Sequence, residues 1–149
     1  MINKNLKFYI NNFLTYTISF CVGIFFITYL LKIPHIVTRN PKIVNQYYLT
    51  NFTTNIPLDY LFVLLYYLVG YLFIKLLKIK KDCYKILVIA ITTALLTTGF
   101  CFYFTSSKQT STFFSKWFHT VGYSSVIYDV VLLVFIYMIY LYLNKVIQN

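Results

Sequence analysis

The chain has 149 residues, of which 60% are hydrophobic and only 11% are charged, and its formal net charge is +10. A soluble domain keeps about a quarter of its residues charged, so this composition excludes an ordinary soluble domain and predicts one integral membrane domain over residues 1–149. The 13 basic residues flank apolar runs, where lipid phosphates are their natural partners, and we therefore expect no nucleic-acid binding.

The first apolar run covers residues 13–31. It is long enough to cross a hydrocarbon core of about 30 Å. No small-residue cleavage site follows it, so the run predicts an uncleaved span and not a signal peptide. In the polar segment that comes next, Pro34 and Pro41 argue against one continuous helix. Tyr47 and Tyr48 of this segment are predicted to anchor at the lipid headgroups.

The second span is predicted over residues 58–77, with Pro57 at its start and Asn55 as its N-cap. Asp59 then falls in the first turn, where the helix dipole stabilises a carboxylate. A lysine-rich turn over residues 75–85 leads to the third span, residues 86–104. This span is rich in threonine, which predicts the most protein-enclosed helix of the chain, with a pore-lining role as the alternative.

The second polar segment ends in FFSKWFHTVGY, which predicts a short interfacial helix that stops near Gly122. Trp117, Phe118 and Tyr123 are expected to anchor this helix at the headgroups. The fourth span, residues 124–143, carries Asp129 well inside its apolar run. The predicted fold is therefore an all-α membrane protein with four transmembrane helices and a short interfacial helix before the fourth.

The distribution of basic residues predicts the orientation of the chain. Eight of them fall at the two ends of the chain and in the 75–85 turn, and five fall in the two longer polar segments. Because cytoplasmic loops are enriched in Lys and Arg, both termini are expected in the cytosol.

The two halves of the sequence resemble each other. A shift of 70 positions (129 − 59 = 70) places Asp59 on Asp129 and Tyr67 on Tyr137, and it also aligns the pair Tyr47-Tyr48 with Trp117-Phe118. This pattern suggests two repeated hairpins related by an axis along the membrane normal. The alternative is a chance match, since apolar runs always align with one another.

Asp129 is the leading candidate for a functional residue, because a charged acid within lipid costs a few kcal/mol and should face protein, water or a cation. The expected partners are His119, Lys116, Arg39 and His35. Two interpretations stay open. Asp129 and Asp59 form an ion or proton site, or each is a structural hydrogen-bond acceptor that fastens a polar segment to its helix.

Motifs for other chemistry are missing from the sequence. Cys21, Cys83 and Cys101 lack the spacing of a metal or redox site, and His35 and His119 stand alone. No nucleophile–base pair or phosphate-binding loop is present. We therefore expect no catalytic residues, no metal, no cofactor and no enzymatic activity.

The N-x-P-L-D opening at residues 55–59 and the block W-F-x-x-x-G-Y-x-x-V-I-Y-D at residues 117–129 resemble a small family of multi-spanning membrane proteins of large DNA viruses, of the mimivirus and phycodnavirus type. The similar segments cover about a third of the chain. The resemblance implies an integral membrane protein of a viral or host membrane, including the internal membrane of a virion. It implies no catalytic or ligand-binding residues.

The sequence favours a structural or membrane-organising role, in which the polar segments contact other virion membrane or capsid proteins. The alternative is a small ion channel or transporter that uses Asp129 and Asp59. Four short helices can barely enclose a pore, so transport would need a homo-oligomer.

Overall fold

A computed structural model describes residues 4–148 of the chain, and all of its regular structure is helical in that range. The elements in chain order are α1 (Lys4–Ile24, followed by a π-helical end Phe25–Leu30), α2 (Ile33–Thr38), α3 (Pro41–Asn45, followed by a π-helical turn Gln46–Thr50), α4 (Phe52–Leu76), α5 (Asp82–Ser106), α6 (Phe113–Val121) and α7 (Ser124–Gln148). Four helices, namely α1 with its π-helical end, α4, α5 and α7, are long and apolar enough to cross a membrane. The structure thus confirms the predicted fold class.

The spanning helices match the predicted runs but extend beyond them. The helix α7 begins at Ser124 as expected, whereas α1 begins before residue 13. The prediction for the start of α4 is wrong, because one helical turn precedes Pro57: the N–H groups of Thr54 and Asn55 both donate to the carbonyl of Asn51. Proline removes only its own donor, so a turn can form ahead of it. Asn55 is therefore not the N-cap, and Asp59 lies beyond the first turn, outside the region that the helix dipole stabilises.

The four spanning helices pack in the cyclic order α1, α7, α5, α4. The helix α7 packs against both α1 and α5, and α5 also packs against α4. Hydroxyl groups close the ring between α4 and α1. The Tyr16 hydroxyl donates to the carbonyl of Tyr60 at 2.5 Å, and the hydroxyls of Thr17 and Tyr60 lie 2.9 Å apart.

The two polar segments lie together at one end of the bundle, and we call them the cap (residues 32–51 and 107–123). The first segment folds as α2 and α3, each with a proline in its first turn. The second contains α6, which ends at Gly122, where φ is 57° and ψ is −140°. Only glycine adopts such a backbone readily, so Gly122 permits the sharp change of direction into α7. The predicted interfacial helix and its end are both present.

The expectation that the third span is the most enclosed helix is wrong. The first span has 44% of its most apolar window buried, against 28% for α5. The threonines of α5 do face protein, since Thr92, Thr93 and Thr97 are buried, but Thr98 is exposed. One face of α5 therefore packs in the bundle while the opposite face is left to lipid.

Residues that are 70 positions apart meet in space. The rings of Tyr67 and Tyr137 contact each other edge to face at a centroid distance of 5.3 Å. Those of Tyr47 and Trp117 contact each other in a tilted arrangement at 4.8 Å. In the cyclic order of the bundle, α1 lies opposite α5 and α4 lies opposite α7. A two-fold axis along the bundle would bring equivalent residues of two repeats together. The packing itself is not symmetric, because α5 packs closely on α7 whereas the equivalent pair, α1 and α4, has few contacts.

Candidate functional site

A cavity of about 140 Å³ lies where the spanning helices meet the cap. Both intramembrane acids, Asp59 and Asp129, line it, and we call it the two-acid cavity. Its remaining wall is mostly aromatic, and the lining residues are Tyr47, Tyr48, Phe62, Val63, Tyr66, Phe100, Phe104, Phe114, Trp117, Phe118, Tyr128, Leu132 and Leu133. The helices α4, α5, α6 and α7 and the turn after α3 all contribute to this wall, so the site forms only when the cap docks on the bundle.

Asp59 comes to the cavity from α4 and binds the cap. Its Oδ1 accepts a hydrogen bond from the hydroxyl of Tyr47. A second hydrogen bond fastens the turn that contains Tyr47 to α4, because the side-chain amide of Asn55 donates to the backbone carbonyl of Tyr47 at 3.1 Å. The other carboxylate oxygen, Oδ2, is buried and has no hydrogen-bond partner among the described residues. Asp59 thus retains one oxygen whose hydrogen-bonding capacity the described part of the chain does not use.

Asp129 comes to the cavity from α7 and is bound by α5. Its Oδ2 accepts a hydrogen bond from the hydroxyl of Thr97 at 2.8 Å. The Thr97 hydroxyl also lies 3.3 Å from that of Tyr66 on α4. This arrangement links three spanning helices at the level of the cavity. The sequence pattern alone did not predict a helix-to-helix contact for Asp129.

The basic partners expected for Asp129 lie elsewhere. Lys116 and Arg39 are exposed. Both ring nitrogens of His119 lie within hydrogen-bond distance of backbone carbonyls, those of Ser115 and Ser107, at 2.8 and 3.1 Å. His35 binds the side-chain oxygen of Asn45 at 2.8 Å. Among the described residues, none of the four basic side chains expected near Asp129 binds it, and that prediction is wrong.

The ion pairs of the described chain lie at the opposite end of the bundle. Both involve Asp82, with Lys85 at 2.8 Å and Lys145 at 2.6 Å. Within residues 4–148, neither cavity acid has a basic nitrogen within 4.0 Å, and no three His, Cys, Asp or Glu side chains are grouped so as to hold a metal ion. The two carboxylates are thus held by neutral hydroxyl donors alone.

The predicted headgroup anchors are mostly packed inside protein. Tyr47, Tyr48, Trp117 and Phe118 are buried, and only Tyr123, at 59% exposure, has a free surface. The expectation of lipid contact is wrong for these four rings. Tyr47 packs on both Tyr48 and Trp117 across the two cap segments, and Phe118 stacks on Phe104 of α5. These contacts hold the cap segments to each other and to α5, and all four rings form part of the cavity wall.

The tyrosines of the cap stay protonated in this environment. Burial raises the pKa of Tyr47 well above its usual value, and the nearby Asp59 carboxylate raises it further. Burial likewise raises the pKa of Tyr48, with a further contribution from Tyr128. Tyr47 therefore remains a hydrogen-bond donor to Asp59 across the physiological pH range.

A second set of hydroxyls connects the cap to the first span. The Tyr48 hydroxyl donates to that of Tyr128 at 2.7 Å, and the Tyr128 hydroxyl lies 2.9 Å from that of Thr28. All three side chains are buried. Thr28 lies in the π-helical end of α1, and such wide turns are frequent next to functional sites. The cap is thereby fixed to α7 and α1 as well as to α4.

Several residues of the site were missed by sequence reasoning, and Thr97, Tyr66 and Tyr128 are the main examples. Thr97 carried a usable signal, because it belongs to the threonine-rich run that predicts a protein-facing surface on α5. The aromatic residues carried none. Tyr and Phe are frequent throughout the chain, and their number conceals which of them face the cavity.

Comparison with known proteins finds no matching family model, no matching curated protein and no matching solved structure. The resemblance to membrane proteins of large DNA viruses therefore stays an expectation from sequence.

Proposed function

We propose that this protein is a membrane carrier that binds a cation between Asp59 and Asp129. The observation that supports this proposal is that both acids line one cavity while their hydrogen-bond partners among residues 4–148 are neutral hydroxyls. A carboxylate in low-dielectric surroundings is costly unless a positive charge or a proton accompanies it. Two carboxylates facing the same small volume make that need greater, and a bound cation meets it.

The packing beneath the cavity favours a carrier over an open channel. Leu133 and Ile136 are buried in the middle of the bundle, and the Tyr67 hydroxyl crosses the bundle to donate to the carbonyl of Leu133 at 2.6 Å. These contacts fill the space between the cavity and the far end of the bundle. Transport then requires a rearrangement of the helices, in which the site becomes accessible from the other side.

The orientation follows from the distribution of charge. We place both termini and the 75–85 turn in the cytosol, on the positive-inside rule. The cap then faces the opposite side of the membrane, and the two-acid cavity receives its cation from there.

The test is a charge-displacement measurement on purified protein in liposomes adsorbed to a solid support. Jumps in pH and in sodium, potassium and tetramethylammonium chloride are applied to wild-type protein and to Asp59→Asn, Asp129→Asn and the double variant. We expect a current with at least one of these cations, and its loss in all three variants. Asp82→Asn is the matched control, since Asp82 lies at the opposite end of the bundle and should leave the current unchanged.

Two results would overturn the proposal. One is a wild-type protein that gives no current with any of the four jumps. The other is a current that persists at wild-type size in the folded double variant.

A structural role in a membrane is the second candidate, and the Tyr47–Asp59 bond favours it because this bond fastens the cap to α4. In this proposal the cap presents a rigid surface to neighbouring proteins, including those of the virion membrane that the viral resemblance implies. Asp59→Asn keeps an acceptor for Tyr47, so a structural role predicts a folded variant with unchanged assembly. The loss of the current in the same folded variant would favour the carrier.

A further inference from the structure

The wall of the two-acid cavity has a chemistry that suits one class of cation. Most of its side chains are aromatic, and Tyr66 and Phe100 present nearly parallel rings, with an interplanar angle of 7° and centroids 6.4 Å apart. The negative face of an aromatic ring attracts a cation, and such rings are the usual recognition element for alkylated ammonium groups. The cavity therefore offers aromatic rings that can contact alkyl groups, and two carboxylates that can neutralise a positive charge.

Small inorganic cations need a cavity lined by oxygen ligands and not mainly by aromatic rings. Calcium takes 6 to 8 oxygen ligands, and magnesium keeps several of its waters. The cavity offers two carboxylates and scattered hydroxyls, and the Tyr47 and Thr97 hydroxyls already donate to the acids. A strongly hydrated ion would lose its water shell without a full replacement. An organic ammonium ion is weakly hydrated, and contacts with the aromatic rings replace its hydration shell.

The volume of the cavity limits the size of the ligand. At about 140 Å³, it is comparable to an engineered cavity of about 150 Å³ that binds benzene. An ammonium ion of this size carries a few carbon atoms on its nitrogen. Tetramethylammonium and choline fall in this range, whereas a long-chain amine would not fit.

We propose that the two-acid cavity binds a small organic ammonium ion, with its positive charge between Asp59 and Asp129 and its alkyl groups against the aromatic wall. The Oδ2 of Asp59, which has no hydrogen-bond partner within the described range, is free to contact the ligand. This inference rests on the proposed cation site and adds the class of ligand.

The test is equilibrium binding to the full-length protein in lipid nanodiscs, with tetramethylammonium and choline as probes. The comparison ligand is 3,3-dimethyl-1-butanol, which has the shape of choline but no charge. We expect saturable binding of both ammonium ions and no saturable binding of the alcohol over the same concentrations. Asp59→Asn and Asp129→Asn should each weaken ammonium binding by at least tenfold.

A second pair of variants tests the aromatic wall. Phe100→Leu removes a ring from the cavity, and Phe102→Leu removes an exposed ring two positions away on the same helix. A cation–π contact contributes about 0.5 to 2 kcal/mol, so we expect Phe100→Leu to weaken ammonium binding by about 2- to 30-fold. Phe102→Leu should leave it unchanged, and sodium or proton binding should not respond to either variant.

The outcomes separate this inference from the proposed function. If sodium, potassium or protons bind in a way that needs both acids while the ammonium ions do not bind, the ligand class is wrong and the cation site stands. If the alcohol binds as well as choline, the cavity recognises shape alone and the ammonium proposal fails. If the acid variants bind every probe as the wild type does, both proposals fail.

Discussion

Asp59 and Asp129 are 70 positions apart in the sequence (129 − 59 = 70) and line the same cavity. Asp59 lies on α4 and accepts a hydrogen bond from the hydroxyl of Tyr47. Asp129 lies on α7 and accepts one from the hydroxyl of Thr97. Two repeats related by a two-fold axis bring equivalent residues together near that axis. A repeat of this kind predicts the pairing of the acids and the contacts of Tyr67 with Tyr137 and of Tyr47 with Trp117. The hydroxyl donors of the two acids, Tyr47 and Thr97, are not at equivalent positions.

The Tyr47–Asp59 bond should stabilise the docked cap. In Tyr47→Phe, Asp59 loses its hydroxyl donor, and an unsatisfied buried polar group costs about 1 to 3 kcal/mol. We expect the free energy of unfolding in mixed micelles to fall by that amount. Tyr123→Phe is the control, because Tyr123 is exposed on the same side of the protein. Equal stability of the two variants would show that the bond does not hold the cap.

Stability should also fall at alkaline pH. Burial raises the pKa of Tyr47 and of Tyr48 in the folded protein above the ordinary value of about 10. Their contribution to the free energy of unfolding is complete below that pH, where both tyrosines are protonated in the folded and the unfolded state. As the pH rises further, the unfolded chain ionises first and is favoured, so stability is lost toward the raised pKa. Unfolding measured from pH 8 to 11 should show this loss, and Tyr47→Phe should reduce it.

The Thr97–Asp129 bond should contribute to the packing of α5 against α7. Replacing Thr97 with Val keeps the shape and removes the donor, and hydrogen bonds between membrane helices contribute about 0.6 to 1.7 kcal/mol. Thr98→Val on the same helix is the control, because Thr98 is exposed. We expect a loss of stability in Thr97→Val alone, measured by reversible unfolding in detergent. A similar loss in both variants would point to helix propensity instead.

The close approach of α1 to α7 depends on Gly23. A Cβ there would overlap the side chain of Ile136 near its branch point, whereas a Cβ at Gly99 would meet nothing within 4 Å. Overpacking typically costs about 1 to 3 kcal/mol. We therefore expect Gly23→Ala to lower the unfolding temperature and Gly99→Ala to leave it unchanged or raise it. The packing of α1 on α7 would be in doubt if both variants were as stable as the wild type.

The orientation can be read from the native cysteines. Cys83 is exposed in the lysine-rich turn, Cys101 is buried, and Cys21 is exposed within a spanning helix, where lipid surrounds it. A membrane-impermeant maleimide should therefore label Cys83 alone. We expect labelling only when the reagent reaches the cytosolic face, and none in Cys83→Ser. Labelling from the opposite face would reverse the orientation and place the cap in the cytosol.

The sequence was sufficient to predict where the spanning helices lie, but not which face of each helix is buried. The apolar runs and the break at Gly122 predicted four spanning helices and α6, because chain length and backbone chemistry decide both. The orientation of side chains could not be predicted in the same way, since lipid is as apolar as a protein core and the buried face of a membrane helix has no distinct composition. Tyr47 and Tyr123 therefore gave the same signal, although one is buried and the other exposed.

Asp59 and Asp129 show the same difference between what the sequence predicts and what only the packed structure shows. The position of Asp129 inside an apolar run was sufficient to select it as a candidate. Its partner, Thr97, lies 32 positions earlier on another helix (129 − 97 = 32), and no local pattern links the two. Asp59 gave a misleading signal, because Pro57 suggested a helix start and hence a simple dipole contact. Only the packed structure places both acids on one cavity.

Protection of Asp59 and Asp129 from carbodiimide is the most direct test of a cation site in the two-acid cavity. Dicyclohexylcarbodiimide modifies carboxyl groups inside membrane proteins, and mass spectrometry locates the modified residue. We predict that Asp59 and Asp129 react in protein without ligand and that tetramethylammonium chloride slows both reactions, while 3,3-dimethyl-1-butanol does not. Reaction of either acid at a rate that tetramethylammonium, sodium, potassium and pH all leave unchanged would contradict a cation site in this cavity.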